Sequence, residues 1–538
     1  LSADPQARGR LAKPARLRRP CGAFMGRPMG AYFRVKPLEQ LLEDTRQPEH
    51  RLRRTLGPVQ LTLLGVGAIV GAGIFSTVGT AAAGGPNHLG AGPALPISFI
   101  LVAIACSFAA LCYAEFAAMV PVAGSAYTYA YATLGELVAW LIGWDLILEY
   151  AVSNAAVAIS WSGYFQELLR GLGLHLPPWL GTDYRTALQS TAAWSAATAA
   201  GTDPASLGAS VLRQAAALET APHVLGLPVV FNLPAFGIVA VITWIALIGI
   251  RETARANTFL AVSKLLIIAF FVGLGAFYVR PENWSPFMPN GFAGVSAAAA
   301  IIFFAYIGFD AVSTASEEAR NPQRDMPIGI LGSLVVCTLI YLAVAVVLTG
   351  MVPWKTLGNA EPLAFAFSSL GLHGVAGVIA VGAVLATTSA LVPFQVGQVR
   401  IFFAMARDGL LPGWMARVHP RWRTPHLSTL ATGVFVAAFS SFANINELVE
   451  LTNIGTLLAF ILVALGILIL RRTDPDRPRP FRVPGVPWVP LLAIGCCGYL
   501  MCKLPWITWV TFFGWMAVGL VFYFGYGARR SRLARAAG

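Results

Sequence analysis

Ionisable side chains buried in long apolar runs are the first places to look for chemistry in this chain. Asp145 and Glu149 stand four residues apart in Gly143-Trp144-Asp145-Leu146-Ile147-Leu148-Glu149-Tyr150, so a helix places both on one face. Lys264 interrupts Ala261-Val262-Ser263-Lys264-Leu265-Leu266-Ile267, and Asp310 closes Phe303-Phe304-Ala305-Tyr306-Ile307-Gly308-Phe309-Asp310. A charge at bilayer depth is costly, and it normally faces the bundle interior and marks a pathway for ions or substrate. The plainer readings stay open. The acids could sit in structural networks with backbone or tyrosine partners. Lys264 lies about two turns from a helix end, roughly 12 Å at 1.5 Å per residue, so it could snorkel part of that distance.

A second signal is backbone weakness in the same kind of run. Gly65, Gly67, Gly71 and Gly73 fall within Gly65-Val66-Gly67-Ala68-Ile69-Val70-Gly71-Ala72-Gly73-Ile74-Phe75. Each glycine weakens a helix by about 1 kcal/mol relative to alanine. A break in lipid strands polar backbone groups unless protein or a polar cavity receives them. Close helix packing through Gly67-x-x-x-Gly71 is the competing explanation. The balance tips at Gly308 and Asp310, which interrupt a second span in the matching position of the other half of the chain. Paired interruptions are the best sequence pointer to a transporter site in an inverted-repeat fold.

Such breaks have a definite chemistry. Freed N–H groups at a half-helix start, around Ala72, Gly73 and Ile74, can hold a carboxylate. Freed carbonyls around Ile69 and from Phe304 through Ala305 to Ile307 can accept from an ammonium. Together they describe the two ends of an α-amino acid.

These residues need a membrane scaffold to position them. The chain has 538 residues, 57% of them hydrophobic and only 12% charged, with a mean hydropathy of +0.67. A soluble domain of this size needs more charge to cover its surface. The apolar residues fall in blocks of roughly 20, the length that crosses a bilayer. About twelve spans are predicted, near 57–83, 93–120, 134–164, 233–250, 257–279, 292–316, 326–351, 374–405, 427–442, 448–470, 489–503 and 506–526. The fold class is therefore all-α membrane protein. A basic tail occupies residues 1–56, the core 57–470, and two extra helices with a basic end 471–538. A long external loop is expected at about 165–232, with a short helix near 186–200. Residues 1–28 lack a run long enough for a signal peptide, and translation is expected to begin near Met29.

The formal charge of +13 follows the positive-inside pattern. Arginines cluster before the first span (Arg51, Arg53, Arg54), in alternate loops (Arg251 and Arg255; Arg320 and Arg324; Arg407, Arg417, Arg421 and Arg423; Arg471, Arg472, Arg477, Arg479 and Arg482) and at the end (Arg529, Arg530, Arg532, Arg535). Both termini are predicted on the cytoplasmic side of the inner membrane, and nucleic-acid binding is excluded. Glu115, Glu317 and Glu318 are expected to pair with arginines such as Arg320, and Glu447 and Glu450 to be helix-start charges. The seven cysteines, Cys21 among them, form no metal spacing and no disulfide framework.

Several runs resemble the amino acid–polyamine–organocation superfamily, and within it the bacterial cationic amino acid transporter branch. They are Gly-Ala-Gly-Ile-Phe at 71–75, Ala-Leu-Cys-Tyr-Ala-Glu-Phe at 110–116, Pro-Val-Ala-Gly-Ser-Ala-Tyr-Thr-Tyr at 121–129, the runs at 143–150 and 303–310, and Arg-Ile-Phe-Phe-Ala-Met-Ala-Arg-Asp-Gly-Leu-Leu-Pro at 400–412. The resemblance implies a LeuT-type fold of five-plus-five inverted repeats with two added helices, and alternating access. It implies a substrate carboxylate at Ala72 and Gly73 and an amino group on the carbonyls of Ile69, Phe304, Ala305 and Ile307. It favours Glu149 as facing the central site, with Asp310 nearby. Members often carry threonine where this chain has Ala72, which removes a hydroxyl beside the carboxylate. The resemblance also implies that the Lys264 ammonium replaces a coupling sodium on first-span carbonyls. A lysine there can gain and lose a proton, which would give proton coupling with Asp310 as a second group.

Phe394, in Val392-Pro393-Phe394-Gln395, is a candidate wall for the substrate side chain, with ordinary core packing the equal alternative. As a wall its bulk favours small or medium neutral side chains. The resulting expectation is proton-coupled amino acid uptake; an exchanger and a non-transporting amino acid sensor are the alternatives. No cofactor is called for. Neither His-Glu-x-x-His, Gly-x-Ser-x-Gly nor a Walker-type Gly-Lys-Ser/Thr occurs, so an enzyme or an ATP-driven pump is not expected.

Overall fold

The computed structural model of the chain describes residues 34–35, 56–85, 88–119, 125–201, 209–248, 254–422 and 424–533. The expected start at Met29, Cys21, most of the 121–129 run's first half, and Arg51, Arg53, Arg54, Arg251, Arg423 and Arg535 lie outside these residues, as do the side chains of Arg255 and Glu317.

Eight helices are long and apolar enough to cross a membrane, one bent pair forms a further span, and three shorter apolar helices bring the described total to twelve. In chain order the spans are Pro58–Ala83 (bent), Gly92–Met119, Glu136–Gly171, Leu233–Ile248, Phe259–Tyr278, Gly291–Ser313, Pro322–Met351, His373–Arg407, His426–Phe442, Ile445–Thr473, Trp488–Met501 and Trp506–Arg530. They are called spans one to twelve below; the face where span one begins is the near face. Span three is the axis of the molecule, burying 94% of its most apolar stretch against 28% for spans five and twelve, which turn their apolar sides outward. The chain is a multi-pass membrane protein.

Local chemistry sets the helix starts. Pro58 opens span one, with the Gly57 N–H donating to Gln60 Oε1 at 2.7 Å. Pro322 opens span seven, with the Asn321 N–H donating to Asp325 Oδ2 at 3.1 Å. Asn444 caps span ten by accepting from the Asn446 N–H at 2.9 Å.

Two expectations need correction. Span three continues to Gly171, past the expected start of the long loop at 165. That loop holds two helices rather than one, Tyr184–Ala199 and Ala209–Thr220, which pack around a small core of Ala187, Ala217, Ala221 and Val230. Glu115 pairs with arginines as expected: Arg471, whose Nε and Nη2 donate at 2.9 and 2.7 Å, and Arg479 at 3.3 Å. It also accepts from the Val483 N–H, so this buried carboxylate ties span two to the chain leaving span ten. Glu447 stands in the first turn of span ten and pairs with Arg185 of the long loop, whereas Glu450 is buried and accepts from Thr508 of span twelve. Cys106, Cys112, Cys337 and Cys497 are buried thiols.

Candidate functional site

Span one is helical from Pro58 to Ile69, opens at Val70 and Gly71, and resumes as a wide π-type turn over Gly73–Thr77 before the α-helix Val78–Ala83, bent by 45° from the first half. Span six is helical over Gly291–Ile302, tightens to a 3-10 turn over Phe303–Tyr306, and then runs extended through Ile307. Gly308 follows at φ +123°, a conformation that side-chain-bearing residues rarely adopt.

The two breaks cross in contact. A Cβ at Gly73 would sit 2.3 Å from Ala305 Cα, and one at Gly308 would sit 2.9 Å from the Ala68 carbonyl carbon. Glycine is therefore required at both positions, because backbone lies where a side chain would begin. The sequence-predicted residues Ile69, Ala72, Gly73, Ile74, Phe304, Ala305 and Ile307 are all buried at this crossing.

Polar groups are distributed unequally around the crossing. Among the described residues, the N–H groups of Ala72, Gly73 and Ile74 have no protein acceptor, as expected for the first turn of a half-helix. The carbonyls on the other side of the same break are engaged. Lys264 Nζ reaches across from span five to Gly67 O at 2.7 Å and Val70 O at 2.9 Å, and Tyr341 of span seven donates to Ile69 O at 3.0 Å. Lys264 is only 3% exposed, so it does not snorkel to water. In span six the Ile307 N–H donates to Phe304 O at 3.3 Å, and the Gly308 N–H donates to Asp310 Oδ1 at 3.2 Å.

Asp145, Glu149 and Asp310 are all buried, and Glu149 lies within electrostatic reach of both other acids. Among the described residues neither oxygen of Asp145 has a hydrogen-bond partner, nor does Glu149 Oε2. Tyr113 and Tyr150 each lie within electrostatic reach of both Glu149 and Asp310, so aromatic rings stand around these two acids. Phe394 is half-buried and packs edge-on against Tyr150, with ring centroids 6.0 Å apart, one residue beyond Glu149. Among the described residues no cluster of histidine, cysteine and acidic side chains is arranged to hold a metal ion.

Sequence reasoning missed two groups that finish the breaks. Asn453 of span ten donates from Nδ2 to Ala300 O at 2.8 Å and Ile301 O at 3.1 Å, just ahead of the span-six interruption. An amide inside an apolar span was the available signal. Tyr341 gave no signal, since a tyrosine among Leu, Ile and Val also fits plain packing.

The sequence matches the amino acid permease family over residues 56–527. It is 45% identical over 506 residues to the branched-chain amino acid permease BcaP of Bacillus subtilis (strain 168), covering 94% of this chain and 99% of that one. It is also 45% identical over 505 residues to the methylthioribose transporter of the same organism, covering 94% and 100%. Identity to the human cationic amino acid transporter 4 is 36% over 463 residues, covering 83% of this chain and 63% of the relative.

Proposed function

The chain belongs to the amino acid permease family, and from that premise we propose that it is a secondary active transporter carrying amino acids across the cytoplasmic membrane by alternating access, coupled to protons. The observation that supports this most directly is the crossing of the two broken spans. It offers unpaired N–H donors at Ala72, Gly73 and Ile74 to a carboxylate, and carbonyls from Ile69 and from the 304–307 turn to an ammonium. A zwitterion satisfies both sets at once, and each is worth more in a dry interior than in water.

Substrate choice falls to the side chains around the crossing. Phe394 beside Tyr150 narrows the space next to Glu149, which favours small or medium neutral amino acids over arginine. The name of the branched-chain permease relative agrees with this size range. The positive-inside distribution supports cytoplasmic termini.

Proton coupling is assigned to Lys264 and Asp310. The ammonium of Lys264 ties span five to two carbonyls of the span-one break, so its charge state decides whether that tie exists. A neutral amine donates fewer and weaker hydrogen bonds. Release of the proton would free span five from span one, which is how a proton could be exchanged for a conformational step.

Uptake by proteoliposomes, screened across amino acids with and without an inward proton gradient, tests the whole reading. Uptake of a neutral amino acid should rise with the gradient. Lys264→Gln should keep binding or exchange but lose the gradient response. Uptake indifferent to the gradient in both proteins would leave the exchanger as the better reading, and binding without any flux would favour the sensor.

A further inference from the structure

The loop between spans seven and eight, residues 352–372, lies over the second half-helix of span one. Ser76 on that half-helix donates to Ala360 O at 2.5 Å and shares a 2.6 Å hydroxyl contact with Ser160 of span three, while Tyr164 of span three hydrogen-bonds Phe75 O. The next residue, Glu361, is 8% exposed and stands at the start of the short helix Pro362–Ser368. Arg170 at the end of span three donates to Glu361 Oε1 at 3.3 Å and also pairs with Glu167. Arg213, exposed on the second helix of the long loop, lies within electrostatic reach of Glu167, Arg170 and Glu361. One carboxylate thus joins the 352–372 loop to the end of span three on the face opposite the start of span one, with the charge of Arg213 on the long loop nearby.

We propose that Glu361, paired with Arg170, is a latch that holds the 352–372 loop closed over the half-helix Gly73–Ala83, and that protonating Glu361 releases it. The long loop between spans three and four adds the charge of Arg213 nearby. The charges facing Glu361 are Arg170 and Glu167 from span three and Arg213 from the long loop, with Tyr164 alongside. Burial pushes the Glu361 carboxyl above its ordinary range, and Arg170 is the chief charge resisting that shift. Ionised Glu361 attracts both arginines; the neutral acid attracts neither. Acidification on this face therefore weakens the latch and favours opening.

The latch does not depend on what is transported, so its test needs no substrate and no gradient. The full chain carrying Thr80→Cys, a buried position on the covered half-helix, is placed in lipid nanodiscs and labelled with a small hydrophilic maleimide, with labelling of the parent chain subtracted. Adding Glu361→Gln should raise the labelling rate roughly three- to fivefold at pH 8, the scale of a partly exposed ion pair. The ratio between the two proteins should fall towards one as the pH is lowered and protonation of Glu361 makes the parent resemble the variant. Equal rates at pH 8, or a ratio that does not change with pH, would overturn the proposal. Should Glu361→Gln fail to fold, Arg170→Gln and Arg213→Gln carry the test at pH 8. Faster labelling in Arg170→Gln supports the latch and an unchanged rate there overturns it, while Arg213→Gln reads the smaller contribution of the more distant charge.

Discussion

In span one the chain breaks with its donors open and its acceptors taken: among the described residues Ala72, Gly73 and Ile74 keep unpaired N–H groups, while Lys264 and Tyr341 occupy the carbonyls of Gly67, Val70 and Ile69. In span six the arrangement is reversed in sign and more self-contained. Asp310 folds back onto the Gly308 N–H, Asn453 supports the carbonyls of Ala300 and Ile301, and the turn after Phe303 closes on itself through the Ile307 N–H and Phe304 O. In the proposed reading one break serves the substrate carboxylate and the other its ammonium. Both stay narrow because their backbones touch at Gly73 and Gly308. The polarity belongs to the main chain; neighbouring spans only decide which groups remain available.

The harshest way to break this symmetry is to separate the two breaks. Gly73→Val places atoms where Ala305 Cα already is, and overpacking of this kind costs about 1–3 kcal/mol, with transport expected to fall by roughly a hundredfold at the upper end. Gly67→Ala is the matched control in the same span. Its Cβ would meet only Ala261 Cβ at 3.6 Å, an ordinary contact, so uptake should stay within about threefold of the parent by the same reasoning. Equal loss in both variants would mean that the glycines serve helix packing and not the crossing of the breaks.

A smaller effect is expected where span six is supported from outside. Asn453→Leu removes both donors to Ala300 O and Ile301 O and leaves buried carbonyls short of a partner. The cost should be about 1–3 kcal/mol in thermal unfolding of the purified protein. An unchanged melting temperature would show that span six holds its own break without span ten.

The spans were legible because burial in lipid demands long apolar blocks, and the break positions were legible because glycines and Asp310 violate that demand. The supporting groups were not. Glu115 meets Arg471 across 356 residues of sequence, and Asn453 meets Ala300 across 153, so no local pattern announces either pair. The helix Ala209–Thr220 escaped notice because it is short, packs through small residues such as Ala217, and lies away from the long apolar blocks that mark the spans. Lys264 was visible as an oddity, yet only the fold places Gly67 and Val70 within its reach. The latch around Glu361 drew on three separated segments and left no trace in any one of them.

The mildest change touches a single lone pair. Ile69 O accepts from the Tyr341 hydroxyl at 3.0 Å, and a carbonyl oxygen has a second lone pair for a substrate ammonium. Tyr341→Phe keeps the ring, which packs against Phe99 and Tyr306, and removes only the donor. If Tyr341 serves to aim the carbonyl, the variant should raise KM by roughly two- to tenfold, the equivalent of one neutral hydrogen bond, with little change in maximal rate. A lowered KM would carry a different meaning: the hydroxyl would then be competing with the ammonium for the oxygen, and span one would bind better when left as open on its acceptor side as it is on its donor side. An unmoved KM would take Ile69 out of the amino-group site altogether, leaving the ammonium to the carbonyls of span six.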